Sequence, residues 1–285
     1  MMTRRQMISR TAATAGALAL AGQFAPLFAD EAGRRFKIGA CEWSLRKSDP
    51  GSLEVAKQIG LDGVQLNLGS VGDDLHLRQP AVQQAYLEAA RKTGVKISSL
   101  AIAEMNRVPL KSDPRAEVWL ADSIAVLKAM KLKIILVAAF AKGDLCDDAA
   151  GVDHTVKVLK QLAPKAEQAG VIFGLENYLS AGENLDLLQR VGSPAVQVYY
   201  DVGNSTDKGY DIYQEIRLLK GKVCEFHAKD GNFMLGQGRI DFQKVREAMD
   251  EINFCGWIQI EAATPHELVA DYQKDLAFLK GVFHD

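Results

Sequence analysis

The feature that most constrains the fold of this chain is a unit that repeats from residue 36 onward. In each unit an apolar, β-branched run is followed by a polar loop and then by a helical pattern, with apolar residues three and four positions apart. Alternating β and α units are typical of a parallel sheet, and eight of them in roughly 250 residues predict an α/β fold, a closed (β/α)8 TIM barrel in one domain. The predicted strands are F-K-I-G-A-C-E-W (36–43), G-V-Q-L-N-L-G (63–69), K-I-S-S-L-A-I-A (96–103), K-I-I-L-V-A-A (133–139), V-I-F-G-L-E-N-Y (171–178), V-Q-V-Y-Y-D-V-G-N (196–204), V-C-E-F-H-A-K-D (223–230) and W-I-Q-I-E-A-A (257–263).

An open, doubly wound sheet is the alternative for a chain of alternating β and α units. Such a sheet would favour a phosphate loop of the form G-x-G-x-x-G after the first strand. Here the first strand runs into E-W-S-L-R-K-S-D-P-G-S, which lacks that pattern, so the barrel is preferred. Within the helical segment 152–170 a proline stands at position 164, and we expect a kink or a break there.

The first thirty residues differ in composition from the rest of the chain. The pair Arg4–Arg5 is followed by Q-M-I and then by an alanine-rich apolar run, which resembles a twin-arginine export signal. The apolar run is too short to predict a membrane span. We therefore expect residues 1–30 to be an export signal peptide, residues 36–285 to form the barrel, and the mature protein to be periplasmic or otherwise exported.

The net charge of −2 and the 25% charged residues are ordinary for a globular protein and predict no nucleic-acid or membrane-surface partner. The four cysteines, Cys41, Cys146, Cys224 and Cys255, form no C-x-x-C pair, which argues against a structural zinc site. A disulfide between Cys224 and Cys255 is conceivable in an oxidising compartment, but two buried free thiols are preferred.

In a barrel of this kind the functional residues gather at the carboxyl ends of the strands. Each of the last four strands ends with one side chain that can bind a metal: Glu176 in G-L-E-N-Y, Asp201 in Y-Y-D-V-G-N, His227 in F-H-A-K-D and Glu261 in Q-I-E-A-A. Because side chains alternate along a strand, residues at one height on neighbouring strands can point to the same place. Three carboxylates and one imidazole would then converge, and without a partner of opposite charge the carboxylates would repel one another.

A divalent cation would relieve this repulsion, so the pattern predicts a metal site. Ligation by several oxygens and one nitrogen favours Mn²⁺, with Mg²⁺, Co²⁺, Fe²⁺ and Zn²⁺ as alternatives. Each residue alone has a simpler interpretation, because a strand-end carboxylate usually caps a helix or faces water and a lone histidine is usually a hydrogen-bonded core residue. Four of them in register on neighbouring strands favour the metal interpretation.

The same motifs carry a resemblance to a known family. E-N on the fifth strand, D-V-G-N on the sixth, H-A-K-D-G followed by G-Q-G-R-I-D-F on the seventh, and I-E-A on the eighth resemble the xylose isomerase-like superfamily of TIM barrels, the sugar phosphate isomerase/epimerase proteins. The resemblance covers the chain from about residue 36 to the C-terminus. It implies that Glu176, Asp201, His227 and Glu261 bind one divalent metal ion, and that Glu176 and Glu261 are also the catalytic acid/base pair.

Two positions depart from the pattern of the ketose epimerases in that superfamily. Asn204 stands where those enzymes usually have a histidine, and Gln65 stands in place of a glutamate, so that it can bind a hydroxyl but cannot act as a base. Other polar and aromatic residues near strand ends are also candidates for contact with a substrate. The predicted substrate-binding residues are Trp43, Gln65, Glu104, Tyr178, Asn204 and Lys229.

The site and the resemblance together predict a metal-dependent sugar or keto-sugar isomerase or epimerase that removes a proton through a metal-stabilised enediolate. A dehydratase or lyase acting on a keto-glycoside at the same site is the alternative. A nuclease like endonuclease IV is disfavoured because it would need several histidines and a basic surface, and a sugar-binding barrel without catalysis is a further alternative. We expect a small carbohydrate as partner, no nucleic acid and no membrane after signal cleavage, while homo-oligomerisation is left open.

Overall fold

The computed structural model describes residues 35–284, which form a closed barrel of eight strands. Each strand pairs in parallel with the next one along the chain, and β8 pairs with β1 to close the barrel. The strands are β1 (Phe36–Cys41), β2 (Gly63–Asn67), β3 (Lys96–Ile102), β4 (Ile134–Ala139), β5 (Ile172–Asn177), β6 (Val196–Asp201), β7 (Val223–Ala228) and β8 (Gly256–Ile260). The predicted (β/α)8 fold is confirmed, whereas the export signal predicted for residues 1–30 lies outside the described residues.

Helices follow the strands and cover the outside of the barrel. They are α1 (Gly51–Ile59), α2 (Pro80–Thr93), α3 (Pro114–Met130), α4 (Ala149–Ala169), α5 (Ala181–Val191), α6 (Val202–Asp207), α7 (Ile212–Leu219), α8 (Phe242–Glu251) and α9 (Leu268–Phe283). Their apolar faces pack on the outer face of the sheet in one continuous core. In the described part of the chain, none of these helices combines the length and apolarity that a bilayer crossing requires.

The strands end up to three residues earlier than the sequence predicts, and the reason is visible after β6. Oδ1 of Asp201 accepts hydrogen bonds from the backbone N–H groups of Gly203 and Asn204 at 2.7 and 2.8 Å. This cap starts α6 directly after the strand, so residues 202–204 are helical although the predicted strand included them. The carboxyl end of β6 is therefore also the start of a helix.

The helix α4 runs from Ala149 to Ala169 with Pro164 inside it, so of the kink or break expected at Pro164, the break does not occur. A proline inside a helix removes one backbone hydrogen bond. Here the neighbouring turns bury Leu159, Ala163 and Ala166 against the barrel. Tertiary packing of that face thus holds the helix together across the proline.

The disulfide considered between Cys224 and Cys255 does not form. Cys224 is a buried free thiol whose Sγ lies 3.3 Å from the carbonyl oxygen of Val198. Cys255 is only partly buried, so the expectation of two buried thiols is correct for Cys224 alone.

Several carboxyl groups are buried inside the structure, and burial disfavours their charged form. Burial raises the pKa of Glu42 to about 7, although the hydroxyl of Tyr86 donates to its Oε1 at 2.5 Å. Burial likewise raises the pKa of Glu225 to about 7 and that of Asp275 to about 6. At intermediate pH the folded chain therefore binds more protons than the unfolded chain.

From these buried carboxyls we predict that the metal-free protein loses stability as the pH rises from about 5 to about 7. A raised folded pKa means that the stabilising proton is fully bound below the ordinary pKa near 4.5 and is lost as the pH approaches 7. Each such group lowers the free energy of unfolding by at most about 1.4 kcal/mol per pH unit in this window. Urea unfolding in EDTA across this pH range measures the slope.

The matched control is Glu42→Gln, which cannot take up the proton. Its free energy of unfolding should fall less steeply with pH than that of the wild type, whatever its absolute stability. Equal slopes for the two proteins would contradict the assignment of this proton to Glu42.

Candidate active site

The four side chains predicted at the ends of the last four strands lie together at one mouth of the barrel. Nδ1 of His227 lies 2.8 Å from Oε1 of Glu176, 3.9 Å from Oδ2 of Asp201 and 4.0 Å from Oε2 of Glu261. His227, Glu176 and Asp201 are buried, and the side chain of Glu261 is 21% exposed. The structure thus brings the four residues together as expected, while their roles as metal ligands and as an acid/base pair remain predictions.

The register of the sheet explains this convergence. Asp201 on β6 stands opposite His227 on β7, and His227 stands opposite Gln259 on β8. Glu261 follows Gln259 by two residues and therefore points to the same side of the sheet. A register shift at Val198 in β6 precedes the Asp201–His227 pair and is part of what sets these two residues at one height.

Each carboxylate is held by different partners. Trp43 donates its indole N–H to Oε1 of Glu261 at 2.8 Å, and Lys229 donates to Oε2 at 3.1 Å. Oδ1 of Asp201 caps α6, whereas its Oδ2 is buried and lacks a hydrogen-bond partner. An acceptor left in this state is destabilising, so the atom points to a group that the protein alone does not supply.

The electrostatics show the repulsion that the sequence predicts. Burial, together with the charges of Glu176 and Glu261, raises the pKa of Asp201 to about 7. The pKa of Glu261 is lowered instead, because the charges of His227 and Lys229 outweigh its burial. Two unit charges about 4.8 Å apart repel by roughly 3–4 kcal/mol at an effective dielectric constant of about 20.

These residues fit a divalent cation. One ligand atom each from Glu176, Asp201 and His227 lie within 4.8 Å of one another, and Oε2 of Glu261 lies beside the same ring nitrogen. The free Oδ2 of Asp201 is the atom such a cation would satisfy. A second set combines Cys41 with His227 and Glu261, but Cys41 contacts the other ring nitrogen, Nε2, at 3.3 Å. Burial raises the pKa of the Cys41 thiol to about 12, so it is a poor ligand.

A cavity of about 250 Å³ lies above the converging residues. Its polar wall includes Glu176, Glu261 and Lys229, and its aromatic wall includes Trp43 and Tyr178. The remaining lining residues are Ala103, Asn106, Leu136, Ala138, Phe140 and Asn204. A wider cleft of about 590 Å³ lies between α4 and α5, but none of the four converging residues lines it.

Four of the six predicted substrate contacts line this cavity, namely Trp43, Tyr178, Asn204 and Lys229. Gln65 does not, because it lies fully buried beneath His227, with its Oε1 3.0 Å from Nε2 of the imidazole. Glu104 does not either, because the turn after β3 directs its carboxylate to within 3.7 Å of Arg107. For these two residues the expected contact with substrate is not supported by their positions.

Sequence reasoning missed Asn106 and Phe140 in the cavity wall. Oδ1 of Asn106 accepts the backbone N–H of Phe140 at 3.0 Å, which joins the loops after β3 and β4. The ring of Phe140 packs edge-on against Tyr178 with the centroids 4.6 Å apart. The only signal for them in the sequence was their position just after a strand. Neither side chain is titratable, so the search for titratable residues at strand ends did not select them.

Comparison with known proteins agrees with the geometry. Residues 53–282 match the family described as xylose isomerase-like TIM barrel. The chain is 26% identical to 2-epi-5-epi-valiolone 7-phosphate 2-epimerase of Actinoplanes sp. over 197 residues, 68% of this chain and 73% of the relative. It is 25% identical to L-ribulose-5-phosphate 3-epimerase UlaE of Escherichia coli over 231 residues, 73% of this chain and 80% of the relative.

A solved structure extends the comparison to the fold. The crystal structure of D-psicose 3-epimerase in the presence of D-fructose superposes with a TM-score of 0.74 at 15% identity, covering 87% of this chain and 100% of that one. Both sequence relatives are epimerases, which supports an isomerase or epimerase activity for this chain. On the match over residues 53–282, the chain belongs to the xylose isomerase-like TIM barrel family.

Proposed function

We propose that this protein is a divalent-cation-dependent epimerase or isomerase of a small, unphosphorylated keto-sugar. The observation that carries the proposal is the convergence of Glu176, Asp201 and Glu261 on Nδ1 of His227 at the floor of a cavity. The epimerase relatives support the reaction class. Manganese remains our preferred cation because oxygen atoms dominate the donor set.

Glu176 and Glu261 are placed to move a proton. They come from β5 and from the end of β8, and both line the cavity. A carbon held between them could lose a proton to one carboxylate and regain it from the other, which inverts that carbon. A divalent cation, when bound, supplies the positive charge that stabilises the oxygen anion formed in this exchange.

The walls of the cavity favour an uncharged substrate. Among the described residues that line it, Lys229 is the one cation, and it already donates to Glu261 at 3.1 Å. Both sequence relatives carry phosphate in the names of their substrates, whereas this cavity offers no second cation for a phosphate. The indole of Trp43 can stack on one face of a sugar ring, and Asn204 can bind a hydroxyl.

Elimination from a keto-glycoside begins with the same proton removal and is the second candidate. It differs only in that a β-leaving group departs after the proton is lost. The products of the exchange experiment below separate the two reactions.

His227→Ala removes the one nitrogen donor, and we expect the affinity for Mn²⁺ to fall by at least about 10-fold relative to the wild type, as loss of supporting ligands does in known metal sites. Equilibrium dialysis with metal analysis measures the affinity. The control is His154→Ala, whose imidazole pairs with Glu117 away from the site and should leave Mn²⁺ binding unchanged. Full retention of Mn²⁺ by the His227→Ala protein would rule out His227 as a ligand.

Mn²⁺-loaded protein in D₂O should introduce deuterium next to the carbonyl of its ketose or 3-keto-glycoside substrate, followed by NMR. Glu176→Gln and Glu261→Gln should each slow this exchange by at least about 100-fold, because each removes one side of the proton transfer. Glu88→Gln, on the exposed face of α2, is the matched control. Wild-type exchange rates in both site variants would contradict the assignment of the acid/base pair.

We further propose that the protein is exported through the twin-arginine pathway, supported by Arg4–Arg5 and the apolar run that follows them. Replacing both arginines with lysine should retain the protein in the cytoplasm, as measured by cell fractionation against the wild type. Equal export of the two proteins would contradict the proposal.

A further inference from the structure

A polar network fills the barrel directly beneath the candidate active site. Its members Gln65, Ser99, Tyr199, Glu225 and Gln259 are all buried, and none of them lines the cavity. Their hydrogen bonds lead from Glu225 upward to Nε2 of His227, on the ring edge opposite Nδ1. The donors and acceptors of these residues fix the direction of the hydrogen bonds between Glu225 and His227.

Glu225 sets the direction at the lower end. Its Oε1 accepts from Nε2 of Gln259 at 2.5 Å and from the hydroxyl of Ser99 at 2.9 Å. Because a hydroxyl has a single proton, and Ser99 gives its own to Glu225, Ser99 can only accept a hydrogen bond from its other neighbour.

The other neighbour of Ser99 is the amide of Gln65, which also contacts the hydroxyl of Tyr199. Its Nε2 donates to Oγ of Ser99 and to the hydroxyl oxygen of Tyr199, at 3.1 Å in each case. Rotating the amide by half a turn would bring its carbonyl oxygen against Oγ of Ser99, which has no proton left to offer. The carbonyl oxygen of Gln65 is therefore the atom that faces His227.

The orientation of Gln65 decides which ring nitrogen carries hydrogen. Oε1 of Gln65 lies 3.0 Å from Nε2 of His227, and a carbonyl oxygen can only accept, so Nε2 must donate. The thiol of Cys41, 3.6 Å from the same oxygen, donates to it as well and is compatible with this arrangement. Nδ1 faces Glu176, Asp201 and Glu261 and, in the absence of a cation, donates to Oε1 of Glu176 at 2.8 Å. A cation bound there would replace the hydrogen on Nδ1, whereas the hydrogen on Nε2 stays with Gln65.

We propose that Glu225 is a positioning residue which, through Ser99 and Gln65, keeps a hydrogen on Nε2 of His227 and so presents Nδ1 to a divalent cation. The presentation to a cation rests on the function proposed above, whereas the placement of the hydrogen rests on the network alone. The network also explains why Gln65 is an amide: it must donate twice and accept once, and a carboxylate at this position could not donate. Histidine ligands in metal sites are commonly fixed by such a bond to the other ring nitrogen.

Imidazole NMR tests the proposal directly. We would record long-range ¹H–¹⁵N correlations of ¹⁵N-labelled protein loaded with diamagnetic Zn²⁺ and assign His227 by its loss in His227→Ala. The expected spectrum shows Nε2 protonated and Nδ1 shifted by Zn²⁺. A spectrum with the proton on Nδ1 and Zn²⁺ on Nε2 would overturn the proposal.

Two adjacent serines provide a matched pair of variants. Ser99→Ala combined with Tyr199→Phe removes both oxygens that accept from Nε2 of Gln65, so the amide of Gln65 can rotate. We then expect a mixed or reversed His227 tautomer and a Zn²⁺ affinity lower by about 10- to 100-fold. Ser98→Ala removes a hydroxyl that contacts Gln259 but not Gln65 or His227, and should leave both readouts unchanged. A folded double variant with the wild-type tautomer and affinity would contradict the proposal.

A conservative pair at the lower end covers the case in which the double variant does not fold. Glu225→Gln keeps an oxygen that can accept from Ser99 and should retain Nε2–H, whereas Glu225→Leu offers no acceptor and should lose it. Equal spectra for these two variants would also overturn the proposal. In the metal-free protein the same spectra still show whether Nε2 of His227 carries a hydrogen. A wild-type protein that binds no cation would therefore contradict the proposed function, while the hydrogen on Nε2 could still be measured.

Discussion

The structure depends on one electrostatic constraint, the burial of three carboxylates around a single imidazole. Glu176, Asp201 and His227 are almost inaccessible to water, and Glu261 lies beside them. A pair of charges at these separations repels by several kcal/mol, which a fold of ordinary stability does not tolerate without compensation. The protein supplies part of the compensation through Lys229 and Trp43 on Glu261 and through the cap that Asp201 provides to α6. The remaining acceptor, Oδ2 of Asp201, is where a cation fits.

The interior of the barrel has an apolar part beside the carboxylates and a polar part beneath His227. On one side, residues such as Leu136 and Ala138 of β4 are apolar and form part of the cavity wall. On the other side, Gln65, Ser99 and Glu225 form a hydrogen-bonded network beneath His227. A fully buried polar network is stabilising only when most of its members find partners. Here one Glu225 oxygen accepts from two donors, and its second oxygen is left without a partner.

The apolar wall and the polar network beneath His227 have different effects on the candidate active site. The apolar and aromatic side chains of the wall lower the polarity of the space above the carboxylates, which strengthens electrostatic interactions there. The polar floor fixes the orientation of His227 before a cation or substrate arrives, so little reorganisation is needed at the moment of reaction. In the proposed reaction this orientation matters, because a misplaced imidazole would change the position of any cation it holds. The family of this chain uses one barrel for several reactions, and the residues above the floor are where such reactions can differ.

The sequence alone determined the barrel and its four converging residues. Eight β-branched runs separated by helical patterns leave few other architectures, and the carboxyl ends of parallel strands meet at one edge, so Glu176, Asp201, His227 and Glu261 could be placed from strand position alone. The sequence could not determine that Gln65 lies under His227, that Glu104 turns away toward Arg107, or that α4 continues through Pro164. These features depend on depth within the barrel, on the path of a turn and on packing against another element, and each involves residues far apart in the chain. The alternation of residues along a strand predicts the face to which a side chain points. Only the tertiary structure decides which residues that side chain contacts.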